Sequence, residues 1–360
     1  MPLARYLIDG IIYMIANYKD ISHINDLYNG RSIFYGDLHN HVSTGGTSDG
    51  SCTLSEWKLG LQALAMDFVA IFDHRQVRHM YLPEWEDGLF ISGTEPGTEI
   101  TDCTGSDKSM HYNMLFPSHE MLEEILCEFE EYEFTGGPEG HFIYPSFTRA
   151  RFGQLIDAVK AKGGFFVHPH PMLCMKSDDP EDYYFRDETG LEVFYGDMGN
   201  EMTEKNYKLW TTLLDMGKRV WACAGQDGHR SASDKALTAI YSESKTGKDF
   251  ISHLRQGDFV CGSVAIRMCV NGTKMGGATS FDNGRLVLAV DDFHVSVRNT
   301  DHKFRVDIIS DLGLEFSQEI ACDEPSFIAF DTENRKFYRA EIFDETLGLR
   351  IAIGNPIWNK

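Results

Sequence analysis

Between residues 33 and 265, short apolar runs alternate with stretches whose apolar residues recur at helical spacing. The run from Phe68 to Phe72 is continuously apolar, which is typical of a strand covered on both faces. Thr53 and Glu56 have the spacing of a capping box, which predicts a helix after them, and residues 152–162 and 203–216 predict two more. The predicted strands are residues 32–38, 68–73, 89–93, 113–116, 164–168, 191–195 and 220–224. Seven strands alternating with helices predict an α/β fold, and they favour a closed or nearly closed barrel over a flat doubly wound sheet.

The pattern changes after residue 265, where short β-like runs are separated by Asn-Gly, Gly-Gly and Asp-containing turns. Residues 266–360 therefore predict a separate, small all-β sandwich-like domain. Residues 1–32 predict an N-terminal helical extension, with a packed helix at residues 6–15. Within the barrel region of residues 33–265, the glutamate-rich stretch 119–144 predicts an acidic insertion formed by a helix and a loop.

Charge and cysteine content restrict the partners and the compartment. The formal net charge is −22, and the long-range electrostatic field of that charge repels a long nucleic acid or an anionic membrane surface. No segment supplies the ~20 consecutive apolar residues that would span a bilayer. The eight cysteines include no C-x-x-C pair, and without a recognisable export signal they predict reduced thiols in a cytoplasmic protein.

Histidines and acidic residues recur where the predicted strands end. The first strand leads into His39 and His41, which project to the same side of an extended segment and can reach one metal ion. In α/β barrels, sites form at this carboxyl end of the strands. The recurrence therefore predicts a metal site. The candidate ligands are His39, His41, Asp49, His74, Glu99, His111, His168, Asp227 and His229.

The order H-x-H, S-D-G, D-H, P-G-x-E, H, H-P-H, D-x-H resembles the PHP family (polymerase and histidinol phosphatase). These are metal-dependent hydrolases on a distorted (β/α)7 barrel, and the resemblance covers about residues 33–265. It implies a trinuclear metal site. In that site, His39, His41, Glu99 and Asp227 would hold one ion, Glu99 would bridge to a second ion held by His111 and His168, and Asp49, His74 and His229 would hold the third. A looser resemblance, at residues 254–257, 270–272 and 354–358, is to PHP proteins with an added C-terminal β domain.

The ligand types restrict the metals and the substrate. Six neutral imidazoles and three carboxylates carry a charge of −3, so three divalent cations would leave a local charge of +3 that attracts an anion. An imidazole-rich set suits zinc, manganese or iron better than magnesium or calcium. The sequence does not choose among these three metals.

A site of this kind favours hydrolysis by attack of a metal-bridging hydroxide on phosphorus. We therefore expect a phosphoesterase that releases phosphate from a small phosphorylated metabolite or nucleotide. His170 either protonates the leaving group, a role that a metal-bound water could also fill, or binds the phosphoryl group, or only lines the mouth. Arg75 and Arg230, each next to a predicted ligand, are candidates to clamp a phosphate.

Three other readings remain open. The same metals could hydrolyse an amide, ester or carbamate bond. An ordinary two-metal amidohydrolase also begins with H-x-H, but it would leave Asp49, His74 and Glu99 without a role. A non-enzymatic binding protein could use the β domain to recognise a partner, and that domain could also pair two copies of the chain as a homo-oligomer.

Overall fold

The computed structural model describes the backbone of residues 5–8, 11–14, 16–132 and 145–360, and the side chains of residues 16–131 and 145–360. The fold is mixed α/β. The α-helices are α1 (Tyr18–Leu27), α2 (Leu54–Ala63), α3 (His119–Glu128), α4 (Arg149–Ala161), α5 (Glu201–Asp215) and α6 (Gly247–Gln256).

The described residues form strands β1 to β24 in chain order. The first twelve are β1 (Arg5–Ile8), β2 (Ile11–Met14), β3 (Ser32–Asn40), β4 (Phe68–Asp73), β5 (Phe90–Thr94), β6 (Gly97–Ile100), β7 (Ser109–His111), β8 (Asn113–Leu115), β9 (Ser146–Phe147), β10 (Phe165–His168), β11 (Thr189–Tyr195) and β12 (Val220–Gly225). The others are β13 (Thr238–Ser242), β14 (Phe259–Gly262), β15 (Val264–Val270), β16 (Thr273–Lys274), β17 (Ala278–Thr279), β18 (Arg285–Phe293), β19 (Phe304–Ser310), β20 (Gly313–Ile320), β21 (Ser326–Asp331), β22 (Phe337–Asp344), β23 (Leu349–Gly354) and β24 (Ile357–Asn359).

The chain divides into two compact units. We call residues 36–237 and 245–255 the histidine unit, and residues 1–35, 238–244 and 256–360 the β unit. These units divide the chain differently from the predicted boundary at residue 265. The reason is that β13 pairs with β14, and β14 pairs with β23, so both strands belong with the C-terminal strands.

The seven strands predicted for the barrel region are confirmed. They lie in the order β12-β11-β10-β8-β5-β4-β3, and all neighbours are parallel except where β8 runs antiparallel to β5 and β10. An isolated parallel bridge joins Asn40, at the end of β3, to Gly228, just after β12. This bridge brings the ends of the first and last strands together, while the closed (β/α)7 barrel stays a prediction.

The predicted helices of the histidine unit are also confirmed. At the start of α2, the Thr53 backbone N–H donates to the Glu56 carboxylate at 2.8 Å, and the Glu56 N–H donates to the Thr53 hydroxyl at 3.3 Å. Trp57 then donates its indole N–H to the carbonyl of His41 at 3.1 Å. Helix α2 therefore braces the segment that carries the first histidine pair.

Residues 266–360, all described, form strands and turns, as predicted. Strands β16-β15-β18-β21 make one sheet, and β23-β22-β19-β20 lie in sequence in another. The pattern did not predict β20, whose residues are mostly exposed and lack a regular apolar alternation.

The N-terminal prediction of a helix over residues 6–15 is wrong for the described part of that segment. Strands β1 and β2 pair antiparallel there, and the helix of this region is α1. Asp9-Gly10 between apolar residues is a typical hairpin signal, which outweighs the helical periodicity. In the acidic insertion, α3 is the predicted helix, and residues 133–144 of the predicted loop lie outside the described residues.

Within the described chain, no helix is long and apolar enough to cross a bilayer.

Two leucines on α2 allow a matched test of the packing. Leu61 is fully buried, whereas Leu59 is 67% exposed. We expect Leu61→Ala to lower the free energy of unfolding by about 2–5 kcal/mol, since it leaves a cavity, and Leu59→Ala to change it by less than about 0.5 kcal/mol. Urea unfolding of both variants measures the difference, and equal losses would contradict the packing described here.

Candidate metal centre

Several strands of the histidine unit end in one region, where histidines and carboxylates lie close together. His39 lies in β3 and His41 just beyond it, while Glu95 directly follows β5. The others are near the ends of their own strands: His74 follows β4, His111 ends β7, His170 follows β10, and Asp227 and His229 follow β12. Three overlapping groups of these side chains have ligand atoms within 4.8 Å of one another and could each hold a metal ion.

The first group comprises His39, His41, Glu95 and Asp227. Nε2 of His41 lies 3.1 Å from both Oε2 of Glu95 and Oδ1 of Asp227. Nε2 of His39 lies 3.2 Å and 3.5 Å from the same two oxygens. Both histidines and Glu95 are buried, so this group forms the floor of the site.

The second group is built on the other oxygen of the same Glu95 carboxylate. Oε1 lies 3.1 Å from Nδ1 of His111 and 3.2 Å from Nε2 of His170. His74 completes the geometric group with Nδ1 at 3.7 Å from Oε2. Glu95 thus faces one set of imidazoles with each oxygen, which is the arrangement of a bridging carboxylate.

The third group surrounds Asp49, whose side chain is half exposed. Its Oδ2 lies 3.1 Å from Nε2 of His229 and 3.3 Å from Nε2 of His74, and its Oδ1 lies 3.4 Å from Nδ1 of His41. Gly50 allows this loop to approach closely, because a Cβ there would stand 2.5 Å from the backbone of His41. A serine-rich, glycine-containing turn therefore places Asp49 beside three imidazoles.

The donor geometry fits metal ions. Neither Nε2 of His39 nor Nδ1 of His41 has a hydrogen-bond partner among the described residues, although both are buried. Two ligands on one ion, each bonded at about 2.0–2.2 Å, lie about 3–3.5 Å apart in tetrahedral or octahedral geometry. The nitrogen–oxygen distances of the first and third groups, 3.1–3.5 Å, match that separation.

Outer hydrogen bonds orient several of these rings. Nδ1 of His39 contacts Glu192 at 3.1 Å, Nδ1 of His74 contacts the carbonyl of Glu95 at 2.9 Å, and Nδ1 of His229 contacts the carbonyl of Asp227 at 2.7 Å. An acceptor at Nδ1 keeps the proton of a neutral imidazole there and directs the Nε2 lone pair inward. All three rings therefore turn Nε2 toward the candidate ions.

The electrostatics of the cluster depend on this mixture of charges. Burial lowers the pKa of His41, but hydrogen bonds and charge from Asp227 and Glu95 outweigh it and raise the pKa to about 9. Burial raises the pKa of Glu95, but His39, His111 and His170 lower it well below its usual value. Ionised carboxylates in this cluster require positive charge nearby. Protonated histidines supply that charge in this arrangement, and divalent cations would supply it when bound.

The structure replaces the predicted Glu99 by Glu95 in the candidate set. Glu99 lies within β6, in the small sheet β7-β6-β9, where its side chain is exposed and lies 3.4 Å from the Ser146 hydroxyl. Glu95 was missed because the P-G-x-E spacing was matched to Glu99. The signal that would have found it is its position directly after β5.

The structure places His170, and not the predicted ligand His168, beside Glu95. His168, the last residue of β10, is buried against the rings of Tyr183 and Phe185, and burial lowers its pKa to about 3. The chain then turns through the positive φ of His170 (29°), which points Nε2 of that ring to Glu95. His170 therefore lies with the candidate ligands, a position that the three roles predicted for it did not include.

The predicted phosphate contacts, Arg75 and Arg230, are not members of the candidate ligand groups. One guanidinium nitrogen of Arg75 donates to the carbonyl of Gly97 at 3.3 Å, and Arg230 is exposed. Besides Glu95, two residues that contact the site were not predicted. Glu192 contacts His39, and Tyr195 donates its hydroxyl to Asp227 at 3.2 Å.

Comparisons with known proteins give distant similarities only. No protein-family model and no curated protein sequence matches the chain. Among solved structures, an amidohydrolase from Chromobacterium violaceum with bound sulfate and no metal is 16% identical, with 54% of this chain and 87% of that chain covered and a TM-score of 0.35. Endonuclease Q in complex with a 27-mer duplex carrying an abasic lesion is 13% identical, with 62% and 57% covered and a TM-score of 0.40.

The lesion-specific endonuclease from Pyrococcus furiosus is 12% identical, with 62% of this chain and 56% of that chain covered and a TM-score of 0.39. This chain thus spans less than two thirds of the length of both endonuclease chains. All three neighbours are hydrolases by name.

Glu95 and Glu99 provide a matched pair for testing the ligand set. We expect Glu95→Gln to weaken metal binding by at least about 100-fold, because the uncharged amide cannot serve two groups at once, and Glu99→Gln to leave it unchanged. Equilibrium dialysis against Mn²⁺ with elemental analysis measures both variants. Loss of metal in Glu99→Gln, with retention in Glu95→Gln, would reverse the assignment.

Proposed function

We propose that this protein is a metal-dependent phosphoesterase that releases phosphate from a small phosphorylated substrate. The observation that carries the proposal is the Glu95 carboxylate, which faces a different set of imidazoles with each oxygen beside a third group around Asp49. Such an arrangement suits adjacent ions with a shared ligand, and two-metal sites of this kind are used for displacement at phosphorus.

Nine residues would hold three ions. His39, His41 and Asp227 would bind the first ion, Glu95 would join it to a second bound by His111 and His170, and the third would lie among Asp49, His74 and His229. Imidazoles predominate in each set, which favours zinc, manganese or iron. When bound, divalent cations provide a nucleophile from water at neutral pH and neutralise charge on a phosphoryl group.

The burial of these residues supports one direction of substrate approach. His39, His41 and Glu95 are buried, whereas the side chains of Asp49, His111 and His229 are 49%, 32% and 33% exposed. A substrate would therefore enter across the third group and His111, with the first group beneath it. The ligands carry −3 against the +6 of three ions, so the local field favours an anion although the whole chain carries −22.

Loading with metal and assay of two phosphate esters would test the function. We expect about three Mn²⁺ or Zn²⁺ ions per chain, with release of inorganic phosphate from a generic monoester or of one alcohol from a generic diester, which leaves a monoester. The ratio of monoester to diester hydrolysis then narrows the substrate class. Three ions without hydrolysis of either phosphate ester would favour the alternative, hydrolysis of an amide, ester or carbamate. A chain that takes up no metal would refute both.

Arg75 and Arg230 remain our proposed contacts to the phosphate, since each directly follows a candidate ligand. We expect Arg230→Ala to raise KM for the phosphate ester about tenfold, because an exposed guanidinium contributes to binding more than to the chemical step. Arg298→Ala, an exposed arginine of the β unit, is the control. Steady-state kinetics measure both, and an unchanged KM in Arg230→Ala would remove that contact from the proposal.

A further inference from the structure

Glu192 is a buried carboxylate that the proposed set of ligands does not use. It lies in β11, and its residue is 1% exposed. The pairing of β11 with β12 shifts register between Glu192 and Phe194. In a regular strand, residues 192 and 195 would face opposite sides, whereas here Glu192 contacts His39 and Tyr195 contacts Asp227. The irregularity thus turns both side chains toward the site.

Each oxygen of Glu192 contacts a different candidate ligand. Oε1 accepts from Nδ1 of His39 at 3.1 Å, and Oε2 accepts the backbone N–H of His170 at 2.7 Å. The first contact fixes which ring nitrogen of His39 faces inward. The second restrains a residue whose φ of 29° is one that side-chain-bearing residues rarely adopt. Glu192 therefore links a ligand of the first ion to a ligand of the second.

The neighbouring strand has a glycine, Gly225, where the Glu192 carboxylate lies. A Cβ on Gly225, in β12, would lie 2.0 Å from Oε1 of Glu192 and 2.7 Å from Cβ of His39. Both oxygens of Glu192 accept from protein donors, and the side chain is buried. Its contacts are those of a group that positions ligands.

We propose that Glu192 is a positioning residue that sets His39 and His170 together and so couples the affinities of the first and second ions. This inference rests on the proposed function, because it presumes that His39 and His170 bind metal. Removing this one carboxylate then weakens two ions at once. The third ion, among Asp49, His74 and His229, has no described contact with Glu192 and keeps its affinity.

The test compares Mn²⁺ binding by the full chain with that of Glu192→Gln, using Glu99→Gln as the matched control. We expect two of the three binding events to weaken by about 10- to 100-fold in Glu192→Gln, the third to be unchanged, and the control to behave as wild type. Calorimetric titration of the metal-free protein gives the number and affinity of the sites. Thermal melting of the metal-free variants reports whether each one folds.

Glu192→Asp separates positioning from charge. The shorter side chain retains the negative charge but cannot span the two contacts, so we expect the same paired loss as in Glu192→Gln. Recovery of wild-type affinities in Glu192→Asp, or three unchanged sites in Glu192→Gln, would overturn the positioning role and leave the proposed function standing. A wild-type chain that binds no metal would instead refute the proposed function itself.

Discussion

The burial of the Glu95 carboxylate is the constraint on which the site depends. An ionised carboxylate removed from water is costly unless several donors or cations surround it, and here five imidazoles from four segments of the chain do so. No short stretch of sequence could meet this requirement, since the donors come from β3, β4, β7 and β10 and the loops after them. The sheet order that brings these strand ends together is therefore a condition for burying Glu95 at all.

Much of the histidine unit could be predicted from the sequence because its signals are local. Seven apolar runs became seven strands, and the i, i+2 spacing of His39 and His41 identified the first pair. The errors arose where the backbone departs from regular geometry. His170 faces the site only through its positive φ, and Glu192 faces it only beside a register shift, neither of which a residue pattern records. Glu99 was predicted in place of Glu95 because the P-G-x-E spacing indicated Glu99, whereas the position directly after a strand indicates Glu95.

The same reasoning explains the prediction that failed at the N terminus. Residues 6–15 are apolar enough to predict a packed helix, yet β1 and β2 pair antiparallel there. A short apolar run does not by itself distinguish a helix from strands. In the β unit, by contrast, β20 lacks apolar alternation and forms by pairing with β19 alone, which only tertiary structure specifies.

The net charge of the chain and the local charge of the site act differently on an anionic substrate. The chain as a whole repels anions, but over distances longer than about 8–10 Å this repulsion is screened at physiological ionic strength. Within the site, the electrostatic field is set by the carboxylates and imidazoles around Glu95 and Asp49. The local charge would become positive when divalent cations bind, because their charge exceeds that of the carboxylates. A small anion that reached the exposed imidazoles of a site loaded with divalent cations would therefore experience attraction. This local charge balance is the reason why the proposed substrate is a small anion.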